Sequence, residues 1–442
     1  MNREILRIAF PNIVSNITVP LMGIVSTAIA GHIGSDSALM IGELAIGASI
    51  FNFIYWNCSF VRMGTSGLTA QAFGRGDFSE TTRMLIRALS VALLLGIFVI
   101  LFRVPVAEGA VRLMNGNDIA MEYVEARLWA VPACVLLFGF HGWFTGMQNA
   151  IIPMVTAIFV NLLHILASYY LSFNCDMGIL GIAYASVIAQ WVGVVLAVFL
   201  LIVRYGKVLV IRGLEGVYAW APLREFFGVN SDIIVRSFCN VCVYSFFTAS
   251  SARMGDKNLL AVNTLLLELF TLFSYMTDGF AYAAEALTGR FVGAKDQKSL
   301  IRCIAFCIRW SLLIALLFVA IYVLGWRSIL SLFMSEGDSG RVVLELAGHY
   351  IGWIIAVPLA CALPFLFDGI MVGATLTHVM RNSMIAATVG FFAIYFSLYP
   401  LMENNALWFA FVLFIVMRGG FQYLFTHGLK DIYKKALSGK VG

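Results

Sequence analysis

At 442 residues, with 61% hydrophobic and only 12% charged side chains, the chain lies far from the soluble averages of roughly one half and about a quarter. A mean hydropathy of +0.90 makes it an integral membrane protein and excludes an ordinary soluble enzyme or binding module. The formal net charge of +5 is confined largely to short connections between apolar runs, so it reads as a topology signal, and no nucleic-acid partner is expected.

Taken in order, the apolar runs predict an all-α polytopic protein with twelve transmembrane helices, at 8–30, 39–72, 84–102, 123–147, 152–173, 179–204, 226–253, 259–290, 301–324, 343–371, 384–402 and 406–428. The second helix of each half is too long for a straight crossing and is expected to tilt or protrude. Met1-Asn-Arg-Glu leads directly into the first apolar run, without a cleavable signal pattern. Placing the N-terminus in the cytoplasm puts 19 of the 29 Lys and Arg residues on that side and seven on the other, with Arg62, Arg236 and Arg309 inside spans. Both termini are therefore expected to be cytoplasmic. The longest hydrophilic pieces are a linker at 205–222 and two outer connections, Pro105 to Glu122 and Ser335 to Glu345.

The chain repeats itself. Gly67-Leu-Thr-Ala-Gln-Ala-Phe-Gly74-Arg-Gly-Asp77 returns as Ala286-Leu-Thr-Gly-Arg-Phe-Val-Gly293-Ala-Lys-Asp296, displaced by 219 residues. Val131-Pro132 and Gly142-Trp-Phe-Thr-Gly146 return as Val357-Pro358 and Gly369-Ile-Met-Val-Gly373. Two echoes in the same order imply a duplicated half, dividing the chain into an N-lobe at 1–204, a cytoplasmic linker at 205–222, and a C-lobe at 223–442 ending in a basic tail. With six spans each, the two bundles are parallel repeats enclosing a cavity.

Polar residues inside spans carry the functional reading. In Tyr275-Met-Thr-Asp278-Gly-Phe-Ala-Tyr282-Ala-Ala-Glu285, Asp278 stands 12 residues before Arg290, roughly 18 Å along a helix and so near mid-membrane. Glu285 follows nearly two turns later on the same face, with Tyr275 and Tyr282 beside them. A carboxylate at that depth costs about 2.5–3.5 kcal/mol, which marks function by default. The alternative is a buried structural pair with a basic residue. Asp368, with His141 as its repeat counterpart, is a third carboxyl candidate. Arg62 lies deep, or else snorkels to the headgroups, and Ser66 occupies the repeat position of Glu285. Asn161, His164 and Ser168 share one face of the fifth helix. Asp232 and Arg236, four apart, are expected to pair along the seventh helix.

Other chemistries have weaker support in the sequence. Gly64-Thr-Ser66-Gly67 matches the serine pattern of rhomboid-type intramembrane proteases, with His141 and His164 elsewhere, but a duplicated chain argues for alternating access. There is no Walker A motif. The eight cysteines lie in or beside apolar runs; Cys239-x-x-Cys242 and Cys303-x-x-x-Cys307 have no partner clusters and read as packing residues, so no metal site is expected.

The chain resembles the multidrug and toxic compound extrusion (MATE) family, close to its DinF-like branch. The resemblance covers nearly all of the chain. It rests on Ile13-Val-Ser-Asn-Ile-Thr-Val-Pro-Leu, Arg62-Met-Gly-Thr-Ser-Gly-Leu-Thr-Ala-Gln-Ala-Phe-Gly74, Asp278-Gly-Phe-Ala-Tyr-Ala-Ala-Glu285, Phe367-Asp-Gly, Gly373-Ala-Thr and Met380-Arg-Asn-Ser-Met. It implies two six-helix lobes forming a V and cofactor-free export of a small organic compound, amphipathic or cationic, across the inner (plasma) membrane. The exchanged ion would be H+ or Na+, and the unit a monomer. A lipid-linked precursor flippase is the runner-up within transport. Many relatives carry an acid where this chain has Ser26, and Asn-x-x-Asn-x-x-x-Asp where it has Asn161-x-x-His164-x-x-x-Ser168. The departure moves coupling onto Asp278, Glu285 and Asp368, with His164 as a substitute proton carrier. It leaves Arg62, Ser66, Asn161, Arg236, Tyr275 and Tyr282 as the polar lining of the substrate cavity.

Overall fold

The structure is a computed structural model that describes residues 1–33, 37–114, 116–209, 216–331, 333 and 338–438. Most of the 205–222 linker's middle and the start of the Ser335–Glu345 connection fall outside the described residues. In chain order the helices are α1 (Asn2–Gly31), α2 (Ser37–Cys58), α3 (Phe60–Gly74), α4 (Phe78–Leu101), α5 (Arg103–Leu113), α6 (Asp118–Leu128), α7 (Val131–Gly146) and α8 (Ile151–Tyr169). A π turn (Tyr170–Asn174) extends α8. There follow α9 (Gly178–Tyr205), α10 (Trp220–Arg253), α11 (Lys257–Gly293), α12 (Gln297–Ser331), α13 (Asp338–Gly373), α14 (Thr377–Met402), α15 (Asn404–Phe425) and α16 (Lys430–Ser438).

Among the described residues 11 helices or continuous helix pairs are long and apolar enough to cross a membrane, or twelve if α6 and α7, bent by 45°, count as one span. Side chains such as Leu324 and Val195, 87% and 68% exposed, face outward as lipid solvates them. All-helical spanning follows from the solvent, because backbone groups in hydrocarbon must be satisfied within the segment.

Three local features depart from the predicted spans. The long second helix runs on as one span, Leu39–Gly74, with a local irregularity at Ser59, whose hydroxyl bonds the Trp56 carbonyl at 2.6 Å. The connection expected between Pro105 and Glu122 is largely helical: α5 buries Ala107 and Val111, one turn apart. Asn117 then caps α6, its Oδ1 accepting from Ile119 N at 2.8 Å. Lastly, helix begins at Asp338, within the second expected connection.

The described chain forms two compact units. The first is Phe10–Asn230; the second is Ser231–Gly442 together with Met1–Ala9. The first unit packs α3, α4, α8 and α9 around α7, with Trp143 and Phe144 fully buried and the Trp143 indole donating to the Thr81 carbonyl at 2.8 Å. In the second, α10, α11, α13, α14 and α15 build a larger aromatic core including Phe247, Phe273, Phe391, Trp408 and Phe411. There Phe247 meets Trp408 edge to face at 4.9 Å.

The sequence repeat reappears as repeated contacts inside each unit. In the first, a Cβ at Gly142 would strike the Arg62 carbonyl, and one at Gly146 would lie 2.8 Å from the Ser66 carbonyl and 2.6 Å from Thr69 Cβ. In the second, Gly369 sits against the Ala281 carbonyl and Gly373 against that of Glu285, with Thr288 Cβ at 3.0 Å. Arg62, Ser66 and Thr69 are each 219 residues before Ala281, Glu285 and Thr288. Each unit thus brings α3 onto α7, or α11 onto α13, through a Gly-x-x-x-Gly face that admits a neighbouring backbone. The turns match as well: Asp77 caps α4 and Asp296 caps α12, accepting from the backbone N–H groups of Glu80 and Ser299 at 2.9 and 3.0 Å.

Candidate functional site

The α11–α13 glycine contact fixes what α11 presents. Glu285, whose carbonyl carries Gly373, is 1% exposed. Two turns earlier Asp278 is half-buried, and Tyr275 and Tyr282 are half-buried alongside. Asp278 is within electrostatic reach of Tyr275, of Tyr244 on α10 and of Cys361 on α13.

Asp368 lies five residues before the end of α13, about 8 Å along the axis. It is 4% exposed and is the centre of a charged cluster. Its Oδ2 accepts from Arg236 of α10 and, at 2.5 Å, from Arg418 of α15; its Oδ1 accepts from Gln422 Nε2 at 2.6 Å. The expected Asp232–Arg236 pair along α10 is replaced. Asp232 instead accepts from Arg381 at 2.6 Å and from the Thr377 hydroxyl at 2.8 Å, both on α14. A salt bridge one turn apart on a helix surface is worth only about 0.3–0.5 kcal/mol, so a well-aimed partner on a packed neighbour wins. Arg418 and Gln422 do carry a signal in the sequence, a polar pair spaced one turn apart inside an apolar run. Arg418, counted by the charge rule as cytoplasmic, is 2% exposed. Arg87, counted likewise, is 1% exposed; it bonds Glu80 at 2.6 Å and the Val217 carbonyl at 2.5 Å, pinning the described end of the linker to α4.

The first unit is furnished differently. At the position of Glu285 stands Ser66, fully buried and without a hydrogen-bond partner for its hydroxyl among the described residues. The serine–histidine contact that a hydrolytic nucleophile needs is therefore absent among the described residues. Arg62 is half-buried with its carbonyl under Gly142. On α8, His164 is 3% exposed, with its Nε2 at 3.4 Å from Ser168 Oγ. Asn161 donates to Thr18 Oγ1 of α1 at 2.6 Å. The structure thus gathers Asp278, Glu285, Asp368 and Arg236 in one unit, and Arg62, Ser66, Asn161 and His164 in the other.

A membrane bundle present twice, with Glu285 and Asp368 buried in one copy where the other has Ser66 and His141, defines a polytopic membrane transporter. The MatE family model matches residues 11–170 and 233–397, one stretch in each half. The chain is 35% identical over 426 residues to the DNA damage-inducible protein F of Escherichia coli, covering 95% of this chain and 90% of that one. It belongs to the MatE family and is a transporter, not an enzyme; the flippase alternative is not favoured. In fold it is similar to a MOP superfamily transporter from Pyrococcus furiosus (TM-score 0.84, 18% identity, 99% of this chain and 96% of that one). It is equally similar to an outward-facing multidrug resistance MATE family transporter (TM-score 0.84, 19% identity, 98% and 96%).

Proposed function

We propose that this transporter exports an organic compound, amphipathic or cationic, across the plasma membrane in exchange for an entering proton or sodium ion, by alternating access. The observation that supports this most is the placement of Asp278 and Glu285 two turns apart on α11, the second fully buried, where the first unit has Ser66. A carboxyl that takes a cation from outside loses its hold on a cationic substrate and regains it on releasing that cation inside, so two opposed fluxes share one group. Asp278 and Glu285 are the principal coupling groups, followed by Asp368 and His164. Arg62, Ser66, Asn161, Arg236, Tyr275 and Tyr282 meet the substrate. The protein works as a monomer without a cofactor, with both termini in the cytoplasm.

The deciding experiment is substrate efflux from proteoliposomes under separately imposed pH and sodium gradients. Export that ignores both gradients would overturn antiport. The orientation is tested by reporters fused after Arg204 and Lys440, which should read the same, cytoplasmic, face.

A further inference from the structure

The basic tail forms a helix, α16, that folds back onto the second unit. After α15 the chain reverses through His427, Gly428 and Leu429, with φ of 50°, 70° and 69°, a left-handed run that is strained for the two residues carrying side chains. Such a turn persists only where its surroundings over-determine it, and α16 supplies the hold. Leu429, Ile432 and Ala436 are buried, and the helix packs on α11 and α12. Lys435, only 9% exposed, donates to the Thr375 hydroxyl at 2.7 Å, in the turn that follows α13. The protein itself thus covers the apolar stripe of α16.

The opposite face carries charge. Lys430, Lys434 and Leu437 follow at spacings of four and three, so they stand on one side of the helix, and all three are exposed. The turn from α11 into α12 and the first turns of α12 add Lys295, Lys298 and Arg302, exposed as well. None of these five cations forms a salt bridge among the described residues. The two carboxylates in the same segments are engaged: Asp296 accepts from the Ser299 N–H at 3.0 Å, and Asp431 meets His427 Nδ1 at 2.8 Å. Lysines with an exposed leucine between them are the composition of a helix lying along a headgroup layer.

We propose that the outward face of α16, together with Lys295, Lys298 and Arg302, docks on anionic phospholipid headgroups of the cytoplasmic leaflet, with Leu437 reaching the acyl boundary. Anionic lipids give that leaflet a negative surface potential, and each lysine held near it strengthens attachment about fivefold. Through Lys435 and Thr375, the bound headgroups hold α16 against the turn between α13 and α14. This inference rests on the cytoplasmic placement of the C-terminus.

The test is thermal unfolding of the full-length protein in non-ionic detergent, titrated with phosphatidylglycerol or phosphatidylcholine in mixed micelles. Phosphatidylglycerol should raise the midpoint saturably where phosphatidylcholine does not, and salt at about 0.5 M should shrink the rise. Inorganic phosphate should give none. Replacing both outward lysines, Lys430→Gln with Lys434→Gln, should weaken the apparent affinity for phosphatidylglycerol about thirtyfold. Lys257→Gln, at the far end of α11, should leave it unchanged. Equal rises with the two lipids, an equal rise with inorganic phosphate, or a loss in Lys257→Gln as large as in the double variant overturns the proposal, and so does a double variant that responds as wild type. If the double variant does not fold, the contrast between the two lipids and inorganic phosphate on the wild type still decides. Micelles have no sides, so failure here leaves the topology to be judged by the reporter fused after Lys440.

Discussion

The two units share a frame and differ in charge. Each seats one helix on another through glycines placed against equivalent carbonyls, and each caps the next helix with an aspartate in register. Yet where the second unit carries Glu285 and Asp368, the first carries Ser66 and His141. The difference separates two kinds of constraint. Glycine contacts cannot drift, because any side chain there collides with backbone that has nowhere to go. Positions that merely face the interior can exchange a carboxylate for a hydroxyl without disturbing the packing. The frame is what folding requires of both halves; carboxylates at these two positions are what only the second half carries.

The largest effect that would sharpen this contrast is on transport. Asp278→Asn and Glu285→Gln should each lower gradient-driven export about tenfold or more, at normal membrane abundance, whereas Ser66→Ala at the matching place should leave export within about twofold of wild type. Wild-type export by both carboxyl variants under the same pH gradient would remove coupling from α11. Labelling of Ser66 by a serine-hydrolase probe would contradict its reading as lining.

The frame itself should respond the same way in either half. A methyl group at Gly146 or Gly373 would lie under 3 Å from the Ser66 carbonyl or against that of Glu285, an overpacking that costs about 1–3 kcal/mol. Gly146→Ala and Gly373→Ala should therefore lower the melting midpoint in detergent by similar amounts, and leucine at either place should abolish folded protein. A tolerant Gly146 beside an intolerant Gly373 would break the equivalence.

Much of this frame was legible in the sequence because the bilayer leaves few choices: a span needs about 20 apolar residues, and a duplicated half repeats its glycines. The irregularity at Ser59 within the second span was not legible, since Ser59 looks like any other small residue in an apolar run until its hydroxyl is seen on the Trp56 carbonyl. Nor was the choice of ionic partner. Asp232 and Arg236 satisfy the one-turn rule, but Arg236 finds Asp368, 132 residues away, and Asp232 finds Arg381. Spacing reports neighbours on one helix only, whereas these partners are decided by which helices pack together. Charge counting is silent on the burial of Arg418 for a related reason, because it assigns a side of the membrane and not a depth.

The smallest expected effect tests the equivalence at its edge. Asp77 and Asp296 each cap the helix that follows, and replacing either by alanine should cost about 1 kcal/mol, read as a similar small fall in melting midpoint. The second cap also has a definite pH dependence. Hydrogen bonds from Ser299 hold the Asp296 carboxyl below its ordinary value, because they favour the charged form. A carboxyl whose folded value is depressed stabilises the fold above its unfolded pKa and loses that contribution as pH falls through the folded one. The gap between wild type and Asp296→Ala should thus stay constant from about pH 7 to 5 and close below about pH 4. Asp296→Asn, which keeps a capping oxygen but no charge, should retain most of the stability with no such closure. A gap that closes already near pH 6 would show that Asp296 is not held by Ser299, and that the two caps are alike in position only.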